Sequence, residues 1–352
     1  MRRVIYHIIG LLALWSCSDI ANDIPKPVGK ATVTFMVSPN GLGDNGYNDA
    51  AAEGFFAFGD ETGTRLRLLL PESETDAEQM YRQWLSENEE KDSTVLILGS
   101  SAFETMALRN KASLKGKGSR VLLFESNLAV EGISTLIISR YGVSYLAGAM
   151  SQRIDAFILA AKKGHPTLEE SIKGFQDARE LYAGEYQGDP CTTTLQYLVD
   201  SGEGFAMPEL AYRAVMQRAD QDVLYNEIIF PLLGGSEAGV LRFINDEEYT
   251  LALMIGMDVN RAGQSSRIPF SVVICIGDVL KQYLEDWLGG QEWPAHQRLG
   301  MKDGVADIAI TPNFSEHLLL YEDRGYRVPD WFKWRYNDYK AEAEEKEASY
   351  GK

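Results

Sequence analysis

Thr32-Val33-Thr34-Phe35-Met36-Val37 runs straight into Ser38-Pro39-Asn40-Gly41-Leu42-Gly43-Asp44-Asn45-Gly46-Tyr47-Asn48. A short apolar run, a Gly-rich loop and a helical pattern over 47–59 read as strand, turn and helix. The alternation repeats along the chain. Further strands are expected over 65–69, 94–98, 120–124, 135–138, 194–198, 227–232, 252–256 and 271–275. Further helices are expected over 77–88, 102–111, 144–161, 168–181, 207–219, 239–244 and 279–288. Apolar strands separated by helices predict a parallel sheet covered on both faces. This many units exceed one comfortable sheet. The fold class is therefore α/β, with two doubly wound lobes. The tail over 339–352, rich in Ala, Glu and Lys, is expected as an exposed helix or a frayed end.

The chain has 352 residues, 45% of them hydrophobic, enough for well-buried cores in two lobes. Its formal charge of -17 excludes nucleic acid as a partner, because phosphate binding needs clustered Lys and Arg. At the N-terminus, Arg2 and Arg3 precede an apolar run over 4–15 and then Ser16-Cys17. That run is shorter than the roughly 20 residues of a membrane span, and has the flanks of a signal-peptide core. Leu14-Trp15-Ser16-Cys17 looks like a bacterial lipobox, so residues 1–16 are read as a leader and Cys17 as a lipidated residue. Residues 17–30, polar and holding Pro25 and Pro27, read as a tether. The protein is thus expected to be exported and anchored to a bacterial membrane by lipid. Cys191 and Cys275, the other two cysteines, do not make a disulfide framework.

In open parallel sheets, ligands sit beyond the carboxyl ends of the strands. The loop 38–48 offers a carboxylate at Asp44, an aromatic face at Tyr47 and an amide at Asn48, groups that can grip a polar ring. The same residues can instead serve only to cap a Gly-rich turn. Gly99-Ser100-Ser101 follows the third strand and brings a hydroxyl to the crevice. No Gly-x-Ser-x-Gly elbow accompanies Ser100, which argues against a nucleophile. Glu125 follows the fourth strand, Gly234-Gly235-Ser236 follows 227–232, and Asp258 follows 252–256. A carboxylate at that last place can accept two hydroxyls of a sugar, or be a plain turn residue. The four histidines are scattered, with no metal-ligand spacing and no P-loop, so neither an enzyme nor a metal or cofactor is expected.

These residues together resemble a family. Asp44-Asn45-Gly46-Tyr47-Asn48 with Ala52-Glu53-Gly54 is similar to the D-x-S-F-N…G signature of the basic membrane protein family, the PnrA-like nucleoside-binding lipoproteins of ABC transporters. Tyr145-Leu146-Ala147-Gly148, Gly174-Phe175, Gly234 to Val240, Ile255-Gly256-Met257-Asp258-Val259-Asn260, Gly300 to Val305, and Gly325-Tyr326-Arg327-Val328-Pro329 resemble further motifs of that family in the same order. The resemblance covers about 31–329.

It implies a type I periplasmic-binding-protein fold. Two Rossmann-like lobes, 31–135 with 261–299 and 136–260 with 300–329, would be joined by three crossovers and followed by a tail, 330–352. It implies a purine nucleoside in the cleft and an ABC transporter permease as partner. Asp44 and Asn48 would bond the base, Tyr47 would stack on it, and Phe205 would close the other side. Gly235 would line the sugar side, Asp258 would take ribose hydroxyls, and Glu125 stands where the family has an acid. The chain departs from the pattern in Gly46 for Ser, Tyr47 for Phe, and Asp278 where a ligand-contacting Lys is usual. The alternatives are a receptor for a sugar or modified nucleoside, and a surface lipoprotein that lost the pocket and binds a protein.

Overall fold

A computed structural model describes residues 31–88, 93–114, 120–183, 191–200, 203–220, 227–246, 252–312 and 335–350. The leader, Cys17, the tether and the motif at 325–329 lie outside these residues. Strands β1 (Thr32–Met36), β2 (Arg65–Leu69), β3 (Thr94–Leu98), β4 (Val121–Phe124) and β5 (Ile133–Ile138) pair in parallel with β11 (His296–Leu299) in the order β11-β5-β4-β3-β1-β2. Every residue of β3, β4 and β5 is buried, as a sheet covered on both faces requires. The edge strands β2 and β11 instead alternate in exposure.

A second parallel sheet has the order β7-β6-β8-β9, from β6 (Ala156–Lys162), β7 (Thr193–Val199), β8 (Ile228–Leu232) and β9 (Leu253–Met254). An antiparallel pair, β10 (Phe270–Ile274) and β12 (Ala306–Ile310), joins its edge through a Gly256–Ser271 bridge. The segment 261–299 therefore contributes to both sides. Its β10 pairs with the second set of strands, whereas β11 lies in the first sheet.

The loop at 38–46 leads into α1 (Tyr47–Thr62), which carries the fully buried Phe55 and Phe58. Phe55 and Phe35 of β1 meet at a tilt of 56° with ring centres 5.5 Å apart, and each such burial contributes roughly 1.5–3 kcal/mol. Helix α8 (Ile276–Leu288) lies against α1 so closely that a Cβ on Gly54 would sit 2.1 Å from the carbonyl oxygen of Gly277. Only glycine permits that approach. The remaining layers are α2 (Glu74–Glu87), α3 (Glu104–Arg109), α5 (Pro166–Tyr182), α6 (Pro208–Ala219) and α7 (Glu237–Asp246).

Three expectations are corrected. The helix expected over 144–161 is two elements, α4 (Tyr141–Met150) and the central strand β6. Both are apolar all round, so periodicity cannot separate them. What ends the helix is Ser151, whose Oγ bonds back to the Ala147 carbonyl at 2.8 Å, while the buried Arg179 takes the Ser151 and Ile154 carbonyls at 2.6 and 2.8 Å. Strands β11 and β12 were not expected; both are short and partly polar.

The described part of the tail is a helix, as one of the two expectations had it, but a docked one. Helix α9 (Tyr336–Ser349) docks on α4, with Tyr339 and Ala343 buried. Its Glu347 accepts from the Gly142 and Met301 amides at 3.2 and 2.8 Å, and its Glu342 accepts from the Tyr145 and Tyr182 hydroxyls. Among the described residues no helix is long and apolar enough to cross a membrane.

Candidate functional site

The strand ends of the two sheets converge on one cavity of about 140 Å³. It opens onto a wider chamber of about 600 Å³, with which it shares Asn40, Ser100, Ser101, Glu125, His165, Thr167 and Phe205. Asp44, Tyr47, Asn48, Ser100, Glu125, Phe205, Gly235 and Asp258, all singled out in the sequence, line the inner cavity. Asp278 does not. It is exposed in the first turn of α8, so the ligand contact expected there is corrected.

The loop before α1 is held by its own carboxylates. Asp44 accepts from the Gly46 and Asn48 amides, both at 2.9 Å, and from the Asp49 amide at 3.2 Å. It thereby caps α1, whose first N–H groups lack helical partners. Asp49 in turn accepts from the Gly43 and Asn45 amides at 2.8 and 2.7 Å. The buried Asn48 donates to the Gly41 carbonyl at 2.7 Å. The turn-capping role weighed for Asp44 is thus real, and it leaves that carboxylate little capacity for a ligand.

The two lobes touch across the cleft at this loop. A Cβ on Gly46 would lie 3.2 Å from Arg261 Nη2 and 3.4 Å from Asp258 Oδ2. A Cβ on Gly235 would lie 3.5 Å from Asp44 Cβ. A residue larger than Gly at 46 would crowd the Arg261 guanidinium, which is fixed by a buried 2.6 Å ion pair with Glu237. Burial drives the Glu237 carboxyl upward to about 8 against the pull of Arg261.

Two cavity carboxylates sit on strained backbone. Glu125 and Asp258 have φ of +55° and +64°, a region that non-glycine residues seldom occupy and that clusters at functional sites. Burial raises the pKa of both, and Arg140 opposes it in both. Arg140 lies two residues beyond β5, with Nη2 3.1 Å from Glu125 Oε1. Its Nη1 is buried without a hydrogen-bond partner, and the buried Tyr47 hydroxyl lies beside the Glu125 carboxylate. The Tyr47 pKa is pushed well up, first by burial and then by the neighbouring Glu125 charge.

On the opposite wall the half-buried Phe205 meets His165 edge-on, with ring centres 5.3 Å apart. Lys162 Nζ lies 6.0 Å from the centre of the Phe205 ring. Burial, aided by Lys162, lowers His165 to about 4, so its ring is neutral at ordinary pH. Ser100 accepts from the Ala102 amide at 3.2 Å and starts a helical turn. Among the described residues no group of three or more His, Cys, Asp or Glu side chains is placed to hold a metal ion.

Arg140, His165 and Thr167 were missed in the sequence. Arg140 could have been found, because it follows a strand. His165 and Thr167 were hidden when β6 was read as helix.

No protein-family model matches the chain, and no curated protein does. Solved structures do. An ABC transporter solute-binding protein from Aeropyrum pernix K1 matches with a TM-score of 0.70 and 17% identity, covering 90% of each chain. A transcriptional activator of the comK gene from Bacillus halodurans matches with a TM-score of 0.63 and 15% identity, over 88% of this chain and 97% of that one. An ABC transporter periplasmic solute-binding protein from Actinobacillus succinogenes 130z, solved with bound D-allose, matches with a TM-score of 0.61 and 11% identity, over 82% of this chain and all of its own. At such identities the likeness carries the fold and not the ligand. The chain has the mixed α/β fold of periplasmic solute-binding proteins.

Proposed function

We propose that this chain is a binding protein, not an enzyme, and captures a small neutral ligand bearing hydroxyls and a flat face. The observation that carries the reading is Asp258. Its carboxylate lines a cavity walled by both lobes, on backbone strained to φ +64°, in the same cavity as the Tyr47 and Phe205 rings. Charge-assisted bonds from ligand hydroxyls to such a carboxylate are worth about 1.5–3 kcal/mol each. The ring faces supply stacking area.

A purine nucleoside is the first candidate, with ribose at Asp258 and the base between Tyr47 and Phe205. A sugar is the second reading. It is favoured by the engagement of Asp44 and Asn48 in their own loop, which leaves few groups to read a base edge. The D-allose held by one structural neighbour is in keeping with it. An open cavity of about 140 Å³, lined by charged, polar and apolar side chains together, weighs against a chain that has lost its pocket.

The partner would be a transporter permease, with Cys17 as membrane anchor. Titration of the protein with adenosine, guanosine, D-ribose and D-allose tests the ligand class. Micromolar binding of one class supports the reading, and no binding by any of them refutes it.

A further inference from the structure

We infer that Arg140 reads the ligand directly, paired with Asp258 on the same hydroxyls, while Glu125 masks its charge so that the cleft refuses anions. The inference rests on the small-ligand reading above and narrows it to neutral, vicinally hydroxylated molecules.

Arg140 is 6% exposed and lines the cavity. One arm of its guanidinium is spent on Glu125, and the other, Nη1, has no hydrogen-bond partner. A buried donor without an acceptor is costly, so native molecules rarely keep one without a purpose. The buried Tyr47 hydroxyl lies beside the same Glu125 carboxylate, and the guanidinium carbon lies 5.7 Å from the Tyr47 ring centre. The Asp258 carboxylate faces the same cavity and is close enough for Arg140 to pull its pKa down against burial.

An unspent donor and a carboxylate on one small cavity match a hydroxyl pair. A hydroxyl both donates and accepts, so one group can bond Arg140 and Asp258 together. A ligand carboxylate or phosphate could use only the donor. It would also meet three carboxylates, Asp44, Glu125 and Asp258, against one guanidinium already paired with one of them. His165 adds no charge there, being neutral. Discrimination against the wrong ligand by a built-in repulsive group is a common source of specificity.

The test uses matched neutral and anionic probes: adenosine with adenosine 5′-monophosphate, and D-ribose with D-ribonate. Wild type should prefer the neutral member of the pair it binds by about 100-fold or more. Glu125→Gln, nearly isosteric, unmasks Arg140 and should narrow that preference by about tenfold or more. Arg140→Met combined with Glu125→Gln removes both members of the buried ion pair and leaves Asp258 with Arg261 as its neighbouring cation. It should fold, weaken the neutral probe by about tenfold, and abolish the anion's gain.

Equal affinity of wild type for both members of a pair overturns the inference, as does a preference that Glu125→Gln leaves unchanged. In either case the small-ligand reading would stand. Failure of every neutral probe to bind wild type would overturn that reading, and this inference with it.

Discussion

Glu125 and Arg140 stand at the carboxyl ends of neighbouring parallel strands, β4 and β5, and meet there as a buried ion pair with Nη2 3.1 Å from Oε1. Strand pairing alone brings together two residues 15 positions apart in sequence. Neither charge sits freely in water, so each depends on the other. Arg140→Met on its own strands the Glu125 carboxylate and should destabilise the fold by about 3–5 kcal/mol. Adding Glu125→Gln should return most of that loss. Urea unfolding of the two single variants and the double variant measures the coupling, and additive effects would show that the pair is not coupled.

Asp258 offers a trade between stability and binding. At φ +64° an Asp is strained, and glycine is not. Asp258→Gly should therefore gain about 1 kcal/mol of stability. It should also lose about 10- to 100-fold in affinity for a hydroxylated ligand, as Asp258→Ala should. Thermal melts and titrations on the same preparations separate the two effects. A Gly variant that is less stable than wild type would show that the strain is not there.

Gly54→Ala should be far worse than its one added carbon implies. The Cβ would lie 2.1 Å from the Gly277 carbonyl oxygen, so α1 and α8 must part. Overpacking of this kind costs about 1–3 kcal/mol or more. Because α1 begins at the cleft loop, ligand affinity should fall as well. A melting temperature within a degree or so of wild type would show that the two helices can separate at no cost.

His165 makes stability depend on pH in a definite direction. Its folded pKa is lowered to about 4 by burial and by Lys162, against an unfolded value of about 6.5. Between those values the unfolded chain takes up a proton that the folded chain refuses. The stability that His165 allows is therefore fully present above about pH 6.5 and is lost as pH falls toward 4. His165→Gln should flatten that part of the profile. Urea midpoints at several pH values across that window provide the check, and a profile unchanged by the substitution would remove His165 as the cause.

The strands that could be read in the sequence were those with a continuous apolar run between turns, such as β3 and β4. Residues at their ends followed from the rule that ligands sit beyond strand carboxyl ends, which led to Ser100, Glu125, Gly235 and Asp258. The failures have a common physical origin. Helix α4 and strand β6 are both apolar on all faces and only the short polar stretch 151–155 lies between them, so they merge into one pattern; the back-bonding of Ser151 and the reach of Arg179 separate them. That misreading concealed His165 and Thr167 just past β6.

The tail was hidden for the opposite reason. Its sequence is mostly charged, and α9 is held by bonds that Glu342 and Glu347 accept from the body together with a few buried contacts of Tyr339 and Ala343, too narrow a stripe to stand out in the sequence. Motif position placed Asp278 in the site, yet it sits exposed on the outside of α8. Arg140, which lines the inner cavity, comes from a segment that motif comparison did not point to.

The most direct test of the central claim is calorimetric titration of the purified protein, wild type and Asp258→Ala side by side, with adenosine, guanosine, uridine, D-ribose and D-allose. Micromolar or tighter binding of at least one neutral hydroxylated ligand by wild type, weakened about 10- to 100-fold by the substitution, is the predicted result. Equal affinity of the two proteins for a ligand that binds, or heat from none of the five, would contradict it.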